Sequence, residues 1–291
     1  MLNCYLAPNF DYGDEKLTEY FHKLRCFRMS DSISEEFVAE AYKAEIPKSI
    51  AKRDDIIAKF DDGDTALLVV DGMGAEYYPL LLNLAKSSAL KVAEKRIVSV
   101  CLPSSTKFNK IKWGGNRLQE IKRIDDISHE GYSSHEKCGF EENLTENFRV
   151  FTKNILPRIN EGLSKCKRVL VTADHGSSYL AINAHKNGLN KTLPWEFGEV
   201  DDWRYAVLNS EIETPAGFVS VYSAEENKYY YVVKGYNRLP KQGGKPYAIH
   251  GGASLEEVLV PFVLFTDDDV HEAEIAAPVE EFIENDAFDI L

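Results

Sequence analysis

The chain has 291 residues, 44% of them hydrophobic and 28% charged, proportions that fit a soluble globular protein large enough for one big domain or two smaller ones. No apolar run approaches the length of a membrane span, and Met1-Leu2-Asn3-Cys4 opens no basic-then-apolar leader, so a cytoplasmic chain without a membrane segment is expected. Cys4, Cys26, Cys101, Cys138 and Cys166 are odd in number, scattered and free of any CxxC pair, which argues against a disulfide framework or a cysteine zinc site.

In chain order, Ser32-Ile33-Ser34-Glu35 has the form of a capping box ahead of Phe37, Val38, Ala41 and Tyr42 at helical spacing. A second helix is expected through Ile50, Ile56, Ile57 and Phe60, so residues 1–62 read as an N-terminal helical segment. Asp61-Asp62-Gly63-Asp64 then turns the chain into a strand at 66–70. A helix near 75–87, a strand at 96–101, a short strand near 121–125, a helix near 145–162 containing Pro157, a strand at 168–173 and a helix near 177–186 follow. Short aliphatic runs alternating with helical segments predict an α/β fold, a mostly parallel sheet flanked by helices. Residues 188–248 break the alternation. Strands at 203–208, 217–222 and 229–233 are separated only by turn-formers, which predicts a small β-rich insertion or cap. A short helix at Ser254–Leu259 and a strand at Val260–Phe265 close a core spanning 63–265. Residues 266–291 form a tail with ten acids and no lysine or arginine; without those ten charges the net −13 becomes −3, so a polyanionic substrate is not excluded for the body.

Ligands of α/β sheets sit at the carboxyl ends of strands. There the sequence places Asp71 within Leu67–Gly74 (LLVVDGMG) and the pair Asp174-His175 within Val169–Gly176 (VLVTADHG). A hydroxyl-rich turn, Leu102-Pro103-Ser104-Ser105-Thr106, follows strand 96–101, Asp125 and His129 follow the short strand near 121–125, and His250 precedes two glycines. Asp126 is the alternative to Asp125. Carboxylate oxygen and imidazole nitrogen bind zinc or manganese well, and a hydroxyl beside such a cation can lose its proton and attack phosphorus. Each piece alone has an ordinary explanation as a turn, cap or loop residue. Their conjunction in this order carries the reading of a metal site. His22, His135, His185 and His271 lack such a context and read as surface or structural histidines.

The order of these motifs resembles the alkaline phosphatase superfamily of two-metal phospho- and sulfo-transfer enzymes. Within it the chain is most similar to the PglZ domain of BREX-type phage defence systems and some response regulators. Leu67–Gly74, Leu102–Lys110 (LPSSTKFNK), Val169–Gly176 and His250–Pro261 (HGGASLEEVLVP) carry the resemblance, which spans roughly residues 65–265. It implies an alkaline phosphatase-like core and two divalent cations, zinc first with manganese as the alternative. One would take Asp71, Asp174, His175 and the nucleophile; the other would take Asp125, His129 and His250. Thr106 aligns best with the nucleophile, Ser104 second, and Asn109 and Lys110 are candidates to hold the nonbridging phosphoryl oxygens. The implied activity is that of a phosphodiesterase or nuclease acting on nucleotides or nucleic acid in phage defence, with other defence-system proteins as partners. The alternatives are a non-catalytic scaffold of a defence complex and a sulfatase or phosphomutase of the same superfamily. Cys101-Leu102-Pro103-Ser104-Ser105 approaches the sulfatase signature Cys-x-Pro-x-Arg, but Ser105 occupies the arginine position and Cys101 is expected to be a buried thiol in a strand.

Overall fold

A computed structural model describes residues 1–130, 140–198, 200, 202–241 and 246–268. His135, Cys138, His271 and nearly all of the acidic tail lie outside the described residues. The strands are β1 (Thr65–Val69), β2 (Lys91–Ser99), β3 (Arg168–Thr172), β4 (Tyr205–Leu208), β5 (Phe218–Ser223), β6 (Lys228–Val233) and β7 (Leu259–Thr266). The helices are α1 (Leu2–Leu6), α2 (Glu15–Met29), α3 (Glu35–Lys43), α4 (Arg53–Ile57), α5 (Tyr78–Ser87), α6 (Arg123–Glu130), α7 (Phe140–Val150), α8 (Leu156–Leu163), α9 (Tyr179–Lys186) and α10 (Leu255–Val258).

The central sheet has the order β1-β3-β7-β2 and is flanked by helices. Every residue of β1 and β7 is buried, as expected of strands covered on both faces. β1 and β3 pair in parallel, Thr65 opposite Arg168 through Val69 opposite Thr172. This register brings Asp71 and Asp174, each two residues past its strand, to one sheet edge side by side. β7 runs antiparallel to both β3 and β2, so the sheet is mixed, where the sequence predicted a mostly parallel one. The chain leaves β3 at the site edge and re-enters the sheet from that edge at Leu259, so β7 must run the opposite way.

Other expectations shift for local reasons. Ser34, not Ser32, caps α3, its hydroxyl accepting from the Phe37 amide at 3.2 Å. The helix expected across 50–60 shortens to α4 followed by a 3-10 turn at Ala58–Phe60. Ile121 makes only an isolated bridge to Val70, so the short strand near 121–125 is instead the entry to α6. The long helix around 145–162 is present as α7 and α8, joined by a wider π turn at Phe151–Ile155. Pro157 stands in the first turn of α8, where its missing N–H disrupts least.

The first sixty residues share one hydrophobic core with the sheet, Tyr5, Phe21, Leu24 and Phe37 belonging to the same cluster as Leu67, Val171 and Phe262. Residues 205–233 form a separate antiparallel sheet, β4-β6-β5, with a small core of Leu193, Ala206, Phe218, Tyr231, Val233 and Leu239 on one face. On its other face Tyr230 packs edge-on against Phe108, ring centroids 4.8 Å apart. No described helix is long and apolar enough to cross a membrane.

The buried Arg204 guanidinium locks this small sheet to the body. Its Nε donates to Glu257 Oε1 at 3.0 Å and its Nη2 to Oε2 at 2.6 Å, with a further bond to the Gly235 carbonyl. Removing one partner strands a charge away from water. Arg204→Met is expected to lower unfolding stability by about 3–5 kcal/mol in urea titrations. Lys165→Ala, which breaks an exposed pair with Glu161, should cost less than about 1 kcal/mol. Equal losses in the two variants would contradict the account of Arg204.

Candidate metal centre

Glycines decide how closely the strand-end loops approach. Gly72 has φ +75°, and a Cβ there would lie 3.1 Å from the Asp125 Cβ, so both conformation and the approach of α6 exclude a side chain. A Cβ on Gly176 would lie only 2.0 Å from the Glu256 carbonyl oxygen and 2.6 Å from Gly74 Cα, so the two loops and α10 meet as bare backbone. Ser104 then joins the hydroxyl turn to the His250 loop. Its carbonyl accepts from the Gly251 amide at 2.9 Å and its hydroxyl donates to the Gly252 carbonyl at 2.6 Å. The Ser128 carbonyl on α6 accepts from the amides of Tyr247 and Ala248, and its hydroxyl lies 3.3 Å from that of Ser177.

These ties bring Asp71, Thr106, Asp125, His129, Asp174, His175 and His250 into one cluster. The fully buried His175 places Nδ1 3.0 Å from the Gly176 carbonyl, which can only accept, so Nδ1 carries a proton and Nε2 is the ring nitrogen turned to the cluster. Nε2 lies 3.1 Å from the Thr106 hydroxyl and 3.5 Å from both Asp71 Oδ1 and Asp174 Oδ2. On the other side His129 Nε2 lies 3.2 Å from Asp125 Oδ2 and 3.1 Å from His250 Nε2. Asp125 Oδ1 is 3.7 Å from His250 Nε2. Two three-residue groups each offer donor atoms within 4.8 Å of one another, Asp125 with His129 and His250, and Asp71 with Asp125 and His175. Asp125 belongs to both.

Asp71 Oδ1, Asp125 Oδ1 and Asp174 Oδ2 are buried and receive no hydrogen bond. Buried carboxylate oxygens without donors are costly, and a divalent cation supplies the partner they lack. The donor set of carboxylates and imidazoles suits zinc or manganese.

Several sequence assignments change. Asp126 is exposed while Asp125 faces the cluster. Asn109, expected to hold substrate oxygens, is fully buried: its Nδ2 donates to the carbonyls of Cys101, Pro103 and Ser105, each at 3.1 Å, and its Oδ1 accepts from the Cys101 amide. That amide staples the turn and has no donor left for substrate. Lys110 is exposed, and Lys107 beside Thr106 pairs with Glu226 at 3.0 Å. Cys101 is exposed and lies beyond the end of β2, so it is not the buried strand thiol expected. Ser104 spends its hydroxyl on the His250 loop, which leaves Thr106 as the hydroxyl facing the cluster. Sequence reasoning missed Arg53, whose signal is weak, and Glu256 and Glu257. Two adjacent acids inside an otherwise apolar Leu255–Phe265 run were the available sign that those two are buried.

Burial and the Asp174 and Asp125 carboxylates push the Asp71 carboxyl up to about 8. The hydrogen bond to Asp125 raises His129 above its ordinary value, while burial and the neighbouring His175 press His250 down to about 4. Asp71 therefore keeps a proton on folding that the unfolded chain has lost, and its contribution to stability falls as pH rises from about 4 to 8. His129 contributes stability that is complete below its unfolded pKa and is lost above it; His250 acts oppositely, but only below about 6.5. From pH 6.5 to 8 Asp71 and His129 act together. The metal-free protein is expected to lose on the order of 2 kcal/mol across that interval, read by thermal unfolding in chelator, with a flatter slope in Asp71→Asn. A melting temperature that rises over the interval would contradict this charge balance.

A family model described as the BREX system PglZ alkaline phosphatase-like domain matches residues 118–265, just over half of the chain. The match includes Asp125, His129, Asp174, His175 and His250, whereas Asp71 and Thr106 precede it and join them only through the fold. The alkaline phosphatase-like protein PglZ of Bacillus cereus (strain H3081.97) is 27% identical over 151 residues, which cover 50% of this chain and 17% of that protein. The chain thus spans about a sixth of the relative's length in the aligned part. The family match together with this relative identifies the chain as a member of the PglZ alkaline phosphatase-like family.

Proposed function

We propose that the chain is a metal-dependent phosphodiesterase or nuclease acting on nucleotide or nucleic-acid esters in phage defence, with Thr106 as its nucleophile. The observation that carries the reading is the Thr106 hydroxyl held 3.1 Å from His175 Nε2, beside three carboxylates that each keep a buried oxygen without a donor. Asp71, Asp174, His175 and Thr106 would hold one divalent cation and Asp125, His129 and His250 a second, zinc first and manganese as the alternative. Such cations favour the ionised hydroxyl and stabilise charge on the phosphoryl oxygens.

The chain's own residues supply the positioning. The bond from His175 Nδ1 to the Gly176 carbonyl fixes the imidazole so that Nε2 and the Thr106 oxygen face the same carboxylates. The Asn109 staple holds the turn on which Thr106 stands, so the nucleophile is oriented before substrate arrives. Attack by Thr106 Oγ1, its proton given up, on phosphorus breaks the bond to the leaving oxygen, which takes up a proton and departs as the alcohol; water then cleaves the threonine–phosphate ester, releasing the phosphomonoester and restoring the Thr106 hydroxyl.

The diester preference rests on charge. A dianionic monoester needs more positive charge near its oxygens than a monoanionic diester, yet Lys107 is paired with Glu226 and Lys110 and Lys112 are exposed. Phe108, on the same turn as Thr106, and Tyr205 of β4 are partly buried and in edge contact at 5.8 Å, an aromatic pair that suits a nucleobase. The family description supports defence-system proteins as partners.

Thr106→Ala should lower kcat on bis(4-nitrophenyl) phosphate by about a thousandfold or more while shifting the melting temperature little, and Thr106→Ser should keep part of the activity. The diester should exceed the monoester and the sulfate in kcat/KM. A monoester preference above about tenfold overturns the diesterase reading. Full activity in Thr106→Ala removes the nucleophile, and no turnover with zinc or manganese makes the non-catalytic scaffold the better account.

A further inference from the structure

Arg53 lies outside the family-matched region and outside every motif of the site, yet it is fully buried and reaches both halves of it. Its backbone runs beside the end of β2, where Lys52 bridges Ser99 and the Ser99 amide donates to the Ala51 carbonyl at 3.0 Å. From that anchor Nη1 donates to the Ala173 carbonyl at 2.9 Å and approaches that of Asp174 at 3.4 Å. Nη2 donates to the Asn109 carbonyl at 3.0 Å, and Nε to Asp54 Oδ1 at 2.8 Å. Asn109 in turn fixes the carbonyls of Cys101, Pro103 and Ser105 around Thr106.

We infer that Arg53 is a positioning residue, whose forked guanidinium sets the separation between the Thr106 turn and the Asp174-His175 strand end; this rests on the phosphoesterase reading above. The chemistry requires a fork. A planar guanidinium directs donors at two carbonyls in fixed relation, whereas an ammonium is a point charge on a flexible stem. The two halves it joins approach through the contact of Thr106 Oγ1 with His175 Nε2, and an error of about 1 Å between reacting groups lowers rates far more than binding. Asp54, half-exposed, neutralises the guanidinium from the solvent side.

The test compares Arg53→Lys with Lys165→Ala, which breaks only an exposed pair with Glu161. Arg53→Lys should fold, bind zinc with unchanged stoichiometry, keep KM for bis(4-nitrophenyl) phosphate within twofold and lose at least tenfold in kcat. Lys165→Ala should keep kcat within twofold. A folded Arg53→Lys with kcat within threefold of wild type, or a kcat loss matched by an equal loss of bound zinc, overturns the inference. The ring ¹⁵N resonance of His175 Nε2 in metal-free protein gives a readout independent of turnover. Arg53→Lys and Thr106→Val should both move it, and a shift in Thr106→Val alone overturns the positioning role. If wild type hydrolyses no ester, the phosphoesterase reading fails while this resonance still decides the role of Arg53. If Arg53→Lys does not fold, the wild-type guanidinium decides: its Hη protons should resolve individually and shift when zinc is added, and one averaged, zinc-insensitive signal overturns the inference.

Discussion

Asp71, Asp125 and Asp174 are drawn together where little water can screen them, and left alone they would repel one another. Burial first, and then the Asp174 and Asp125 carboxylates, push the Asp71 carboxyl up to about 8. The parallel pairing of β1, buried throughout, with β3, buried from Val169 to Thr172, sets two of the three acids side by side. Hydrophobic burial of those strands, worth roughly 25 cal/mol per Å², is thus the source of the energy that holds like charges together. A cation that binds them converts the same crowding into affinity.

The surrounding structure serves to prevent those acids from moving apart. Gly72, Gly74 and Gly176 allow α6, α10 and the strand-end loops to meet at backbone distance. Glu257 does two things at once on α10: it accepts from Arg204 and caps its own helix through the Ser254 hydroxyl and amide. The small antiparallel sheet is thereby tied to the loop that carries His250, whose second glycine leaves no space for a Cβ beside the Arg204 guanidinium. Arg28 and Glu76 form a second buried pair, joining α2 to the segment after β1. The first sixty residues are for this reason part of the platform under the site.

Much of the cluster was legible in the sequence because its acids and imidazoles sit at strand ends marked by aliphatic runs and glycines. Asp71, Asp174, His175 and His250 all carry that signature, and α/β alternation located the sheet itself. Asp125 and His129 came out next to each other for a different reason from the one expected. They are one turn apart on α6, a spacing that places both on one helix face, and no strand precedes them. Strand direction was not legible for β7, since it depends on where the long insertion returns the chain. Asn109 and Cys101 were misread because burial in a loop follows from tertiary hydrogen bonds, which leave no periodicity. Arg53 was missed for the same reason: its partners are backbone carbonyls more than fifty residues away.

The central claim is that this cluster is a two-cation site with Asp125 shared between its halves. Calorimetric titration of metal-free protein with zinc, run in parallel on wild type, His129→Ala and Asp125→Ala, tests it most directly. The account predicts two equivalents bound by wild type, one tight equivalent retained by His129→Ala, and weakening of both in Asp125→Ala. Wild-type protein that binds no zinc at millimolar concentration, or an Asp125→Ala isotherm indistinguishable from wild type, would contradict it.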